Sequence, residues 1–81
     1  MSRRLTLLGR ADCHLCEDMA AELEALRGQF DFSVEVIDVD RHPELARRWG
    51  DQVPVLLHGE AEICHFFLDR RALEAWLARM Q

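Results

Sequence analysis

Eighty-one residues, 49% hydrophobic and 31% charged with four Gly and two Pro, are enough for one economical core, and they exclude a disordered, collagen-like or staple-dependent chain. The formal charge of -5, from 15 acidic residues against 10 cations that are all Arg, argues against a nucleic-acid partner, which would need a basic face. The longest apolar run, residues 53–57, falls far short of the ~18 residues of a membrane span, and the apolar stretch before Arg10 and Asp12 is too short for an export signal, so no membrane partner is expected and a reducing cytoplasm is the expected compartment.

Residues 4–9 (Arg-Leu-Thr-Leu-Leu-Gly) are short, apolar and closed by Gly, the pattern of a buried strand. From residue 14 to 27, Leu15, Met19, Leu23 and Leu26 recur at helical spacing, with Glu17, Asp18, Glu22 and Glu24 off that face and Gly28 as the stop. Residues 32–39 are rich in Val and Ile, and Phe32, Val34 and Val36 alternate with Ser33 and Glu35, which predicts a second strand.

Residues 40–50 read as a short helix with Pro43 in its first turn and Leu45 and Trp49 on one side. A third strand is expected over 53–58, opening with Pro54, and a fourth over 61–67 after a tight turn at His58-Gly59-Glu60. One of Phe66 and Phe67 is then expected inside and the other near the surface, with Cys64 a small buried hydrophobe. Asp69 is a natural N-cap for a last helix whose Leu73, Trp76, Leu77 and Met80 form a stripe. The order β-α-β-α-β-β-α predicts a single α/β domain over 1–81: a four-stranded sheet with helices on both faces and its first two strands parallel.

The chemistry concentrates in Cys13-His14-Leu15-Cys16, at the junction of the first strand and first helix. Three cysteines are too few, and odd in number, for a disulfide framework, whereas Cys-x-x-Cys near a β-α-β unit reads as a redox dithiol. Unpaired backbone N–H groups and the positive end of the helix dipole favour a thiolate at Cys13, and Cys16, one turn on, can attack a mixed disulfide formed there. Arg10 and a protonated His14 add to that stabilisation; Asp12, Glu17 and Asp18 oppose it. Each such contribution is about 0.3–1 kcal/mol, so the expected balance is a moderately acidic thiol and a fairly reducing couple.

Cys13-His14-Leu15-Cys16, the later Val53-Pro54 and the element order together resemble a glutaredoxin-like member of the thioredoxin superfamily, over essentially the whole chain. The resemblance implies the thioredoxin/glutaredoxin-like fold and thiol–disulfide exchange, with Cys13 as nucleophile and Cys16 as resolving cysteine. It also implies a cis Pro54 beside the dithiol and a substrate strand paired to the Val53 backbone. Arg10 stands where the family often has a Lys that meets a glutathione carboxylate, and Asp69 where an acidic helix start holds the γ-glutamyl end. The glycine pair that precedes that acidic residue in the family is replaced by Phe66-Phe67. The expected partners are disulfide-containing proteins or low-molecular-weight disulfides, with glutathione as a candidate co-substrate or a reductase as electron donor. The chain is expected to be a monomer with no bound cofactor and no metal. Two other readings use the same residues: a metal or iron–sulfur binding module, for which His58, Cys64 and His65 supply only scattered further ligands, and a thioredoxin-like adaptor with an idle dithiol.

Overall fold

The computed structural model describes residues 3–80. Its elements are β1 (Arg4–Gly9), α1 (His14–Leu26), β2 (Ser33–Asp38), α2 (Pro43–Trp49), β3 (Val55–His58), β4 (Ala61–His65) and α3 (Arg70–Arg79). The sheet order is β2-β1-β3-β4, with β1 parallel to β2, antiparallel to β3, and β3 antiparallel to β4. This is the four-stranded mixed α/β sheet of a thioredoxin-like fold, in the expected order.

Strand alternation divides the core between two faces. Leu5, Leu7 and Leu56 pack with Met19 and Leu23 of α1 and Leu73 and Leu77 of α3. Leu8, Val55 and Leu57 pack on the opposite side with Val39, Leu45 and Trp49. Strand β1 is central and covered on both faces, which is why it reads as an almost continuous apolar run. Both tryptophans are half-buried against these clusters, each with an arginine over its ring: Arg48 at 4.9 Å from Trp49 and Arg79 at 5.0 Å from Trp76. A register shift sets Leu56 opposite Cys64 but Leu57 opposite Glu62, so that Ile63 and Cys64 both turn inward.

Four features depart from the pattern in the sequence. The second helix does not begin at Asp40: the Asp38 carboxylate accepts from the Asp40 N–H at 2.9 Å and closes a 3-10 turn over Val39–Arg41. The α-helix proper starts at Pro43, where a missing N–H is harmless. Val36, in phase with the buried Phe32, is nonetheless 65% exposed, because β2 is the outer strand and α1 lies over its neighbour. Strand β3 begins after Pro54, at Val55. Strand β4 stops at His65, two residues early, because Phe66 takes a left-handed φ of 64° and turns the chain out of the sheet. Phe66 and Phe67 are consequently both exposed, at 39% and 69%, so the expectation that one would pack inside is corrected. Asp69 caps α3 as expected, its Oδ1 accepting from the Ala72 N–H at 3.0 Å.

Candidate functional site

Strand β1 ends at Gly9, and Arg10 to Cys13 carry the chain round into α1. Asp12 makes the reversal with a left-handed φ of 56°, a conformation that Asp tolerates better than most residues. Cys13 follows in extended conformation as the N-cap of α1. Its carbonyl accepts the Glu17 N–H at 3.1 Å, and its Sγ accepts the Cys16 N–H at 3.2 Å. The sulfur thus occupies the place of a capping oxygen, against one of the helix's otherwise unpartnered amides.

Cys13 and Cys16 are joined as a disulfide, with Cα atoms 5.2 Å apart. Their exposure differs: Cys13 is half-buried at the surface, and Cys16 is 8% exposed. Gly9 is what admits Cys16 so close to the sheet. A Cβ on Gly9 would lie 3.3 Å from both Cβ and Sγ of Cys16, tighter than an ordinary van der Waals contact. Helical and strand periodicity do not announce this contact, although a lone Gly at a strand end is a signal of close backbone approach. On its other side Cys16 borders an open apolar hollow of about 270 Å³, between α1 and β2, floored by Leu7, Ala20 and Val36.

The Val53-Pro54 bond is cis, as the resemblance implied, and Pro54 is fully buried. Leu8 faces Val55 across the β1–β3 ladder, so Pro54 sits at the end of the sheet from which β1 runs on to Cys13. The other residues singled out from the sequence are placed as follows. Arg10 donates to Asp40 at 2.9 and 3.3 Å and to the Gly50 carbonyl at 3.2 Å, which ties the end of β1 to the loops around α2. His14 is exposed and faces the Asp18 carboxylate at 3.4 Å. Asp12 and Glu17 form no ion pair among the described residues. Of the charged residues flanking the pair in the chain, Asp12 and Glu17 thus have no ion-pair partner among the described residues, whereas Arg10 is matched by Asp40.

The third cysteine is set apart from this pair. Cys64 is buried under α3, and that burial pushes its thiol above the ordinary range; the Asp69 backbone N–H, donating to the sulfur, opposes the shift, while the Asp69 and Glu62 carboxylates add to it. A raised thiol under packed side chains is a poor nucleophile. Among the described residues no three His, Cys, Asp or Glu side chains come together as a metal site requires. No described helix is long and apolar enough to cross a membrane.

Residues 4–78 match the Glutaredoxin-like domain (DUF836). The chain is 35% identical over 85 aligned residues to Uncharacterized protein Rv0508 of Mycobacterium tuberculosis, an alignment covering 98% of this chain and 88% of that protein. It is also similar to the solution structure of protein Ne2328 from Nitrosomonas europaea, at 41% identity and a TM-score of 0.84, covering 94% of this chain and 92% of the other. Thioredoxin 1 from Thermosipho africanus shares the fold, with a TM-score of 0.64 at 24% identity over 95% of this chain and 97% of that one.

Proposed function

This chain belongs to the glutaredoxin-like domain family, and we propose that it is a thiol–disulfide oxidoreductase acting through Cys13 and Cys16. The observation that carries the reading is the unequal pair at the start of α1: two sulfurs close enough to bond, one accessible and one covered. In the reduced protein the Cys13 thiolate attacks one sulfur of a substrate disulfide and expels the other as a thiolate, which takes up a proton. The Cys16 thiol then loses its proton and attacks the Cys13 sulfur, and the second substrate sulfur leaves. Two electrons pass to the substrate, which ends as two thiols, and the protein ends as the Cys13–Cys16 disulfide. A thiol donor, either glutathione or a reductase, restores the dithiol in a reducing compartment such as the cytoplasm.

The assignment of roles follows from access. An incoming disulfide meets Cys13 first, and Cys16, shielded by Gly9 and the first turn of α1, meets only a partner already held on Cys13. The Cys16 N–H stabilises a Cys13 thiolate directly, a charge-assisted contact of the kind that lowers the cost of the leaving sulfur. The half-buried Val53, at the same end of the sheet, offers the backbone against which the substrate segment would lie, as the resemblance implies, and the fully buried Pro54 fixes that backbone through the cis bond. With Arg10 engaged by Asp40 and Asp69 engaged as a helix cap, glutathione contacts at these two positions would compete with existing hydrogen bonds.

The test is covalent trapping. Cys16→Ser incubated with a disulfide substrate is expected to accumulate a mixed disulfide on Cys13, read by intact mass, whereas Cys13→Ser is not. Equal trapping by the two variants would overturn the assignment.

A further inference from the structure

One segment breaks a local rule for a small gain inside the chain, an edge-to-face contact of the Phe66 ring with His65 at 4.7 Å. Phe66 takes φ 64°, the left-handed region that glycine enters freely and a bulky side chain rarely does. Two backbone hydrogen bonds hold it there. The Phe66 N–H donates to the Pro54 carbonyl at 2.8 Å, and the Phe67 N–H reaches back to the His65 carbonyl at 2.7 Å, closing a three-residue turn around Phe66. Burial offsets this only in part: Phe66 is still 39% exposed beside His65, and Phe67 is 69% exposed. Strain that the surroundings enforce is found mainly where a site is pre-organised, so an outlier of this kind points to a role in binding.

The location supports that role. Val55 pairs with Leu8 on one side and with His65 on the other, so the end of β1, the start of β3 and the end of β4 lie side by side. The first leads to Cys13, the second begins at Pro54, and the third ends in the Phe66–Phe67 turn. The aromatic pair therefore stands at the same end of the sheet as the dithiol, tied by its backbone bond to the carbonyl of the buried Pro54. On the β1–α1 side, next to the dithiol in the chain, are Asp12 and Glu17, without ion-pair partners among the described residues, and Asp18, which His14 faces. Apolar rings on one side and carboxylates on the other favour a segment with an apolar residue beside its cystine and basic rather than acidic flanks. Glutathione disulfide, a small polar molecule rich in carboxylates, matches neither side.

We infer that Phe66 and Phe67 are specificity-determining residues that select polypeptide disulfides with an aromatic or large aliphatic neighbour over glutathione disulfide. The inference rests on the oxidoreductase reading, and the electron transfer is the one already written: the dithiol is oxidised and the peptide disulfide reduced to two thiols. The test uses the full chain, reduced with dithiothreitol and freed of it, and follows its oxidation by mass after acid quenching. Four probes are compared: a Lys-flanked peptide disulfide with Phe beside the cystine, the same peptide with Ser in place of Phe, glutathione disulfide, and uncharged hydroxyethyl disulfide.

The protein is expected to react about tenfold or more faster with the Phe peptide than with the Ser peptide, a ratio of the size that burying one apolar group gives, and faster than with glutathione disulfide. In Phe66→Gly, where glycine suits the backbone, and separately in Phe67→Ser, at an exposed position, the Phe/Ser ratio is expected to fall toward one. Because it is a ratio within one variant, a general loss of dithiol reactivity cancels. A ratio near one in the unmodified protein, a ratio unchanged in both variants, or glutathione disulfide reacting as fast as the Phe peptide would overturn the inference while leaving the oxidoreductase reading intact. Absence of any reaction with hydroxyethyl disulfide would instead sink that reading, and this inference with it.

Discussion

Replacing Gly9 by Ala probes the contact that seats Cys16. The Gly9 backbone is not left-handed, so the substitution adds only a methyl group, placed 3.3 Å from Cβ and Sγ of Cys16. Two effects oppose each other. Ala in place of Gly in a strand gains about 0.5–1 kcal/mol through the unfolded chain. Overpacking a close contact costs about 1–3 kcal/mol, since either the end of β1 or the first turn of α1 must yield by a few tenths of an ångström. The net expectation for the oxidised protein is a loss of about 1 kcal/mol. In the reduced protein the Cys16 sulfur is no longer tied to Cys13 and can rotate away from the new methyl, leaving only the Cβ contact. The reduced form should therefore lose less, by about 0.5–1 kcal/mol. That difference makes the disulfide easier to reduce, and for a two-electron couple it raises the potential by about 10–20 mV. Urea unfolding of both redox forms gives one side of the cycle, and equilibration against glutathione buffers with counting of free thiols gives the other. Equal losses in the two forms, or a shift to a more negative potential, would refute the claim that the methyl meets the Cys16 sulfur.

Two further expectations concern the support of the site. Asp69→Ala removes the cap of α3 and should cost about 1 kcal/mol in urea unfolding, because the Ala72 amide loses its acceptor. The Cys64 thiol, raised by burial above the ordinary thiol range, implies an alkaline loss of stability. The unfolded chain releases this proton at lower pH than the folded one, so the contribution of Cys64 is fully present below the unfolded thiol's pKa of about 8.5 and declines as pH rises toward the folded value. Cys64→Ala should flatten that part of the stability profile, and an unchanged alkaline limb would place its origin elsewhere.

The elements that are legible in the sequence are those in which a single periodicity decides the structure. In β1, Leu5, Leu7 and Leu8 sit between two helical layers and read as buried at once. Met19, Leu23, Leu73 and Leu77 show their helical stripes, and Asp69 and Pro43 announce helix starts through chemistry that belongs to one residue each. The Cys13–Cys16 pair is legible for the same reason, as spacing and position on α1 lie within one turn of chain. What is not legible depends on distant partners. Val36 has the pattern of an inward residue, and only the outer place of β2 leaves it exposed. Arg10 shows a free cation in sequence, and only the fold brings Asp40 within 2.9 Å. The approach of Cys16 to Gly9 depends on how the first turn of α1 settles on β1.

The two non-glycine residues with left-handed φ among those described, Asp12 and Phe66, can be set against that background. A chain free to optimise its own stability would place Gly at both, avoiding about 1–2 kcal/mol of backbone strain at a bulky residue such as Phe66, less the extra freedom that Gly has when unfolded. Over most of the rest of the described chain, Val36 apart, local preference and global fold agree: the Asp69 cap, the alternation of β1 and the buried leucines point the same way. Departures from that agreement are expected at functional sites rather than spread at random. Both stand at the same end of the sheet, one immediately before Cys13 and the other bonded to the carbonyl of Pro54. Asp12 carries a carboxylate next to Cys13 in the chain where Gly would carry none, and Phe66 carries a ring where Gly would leave the backbone bare. Under the proposed oxidoreductase reading, both lie where selection for what the site binds, rather than for stability alone, would leave its mark.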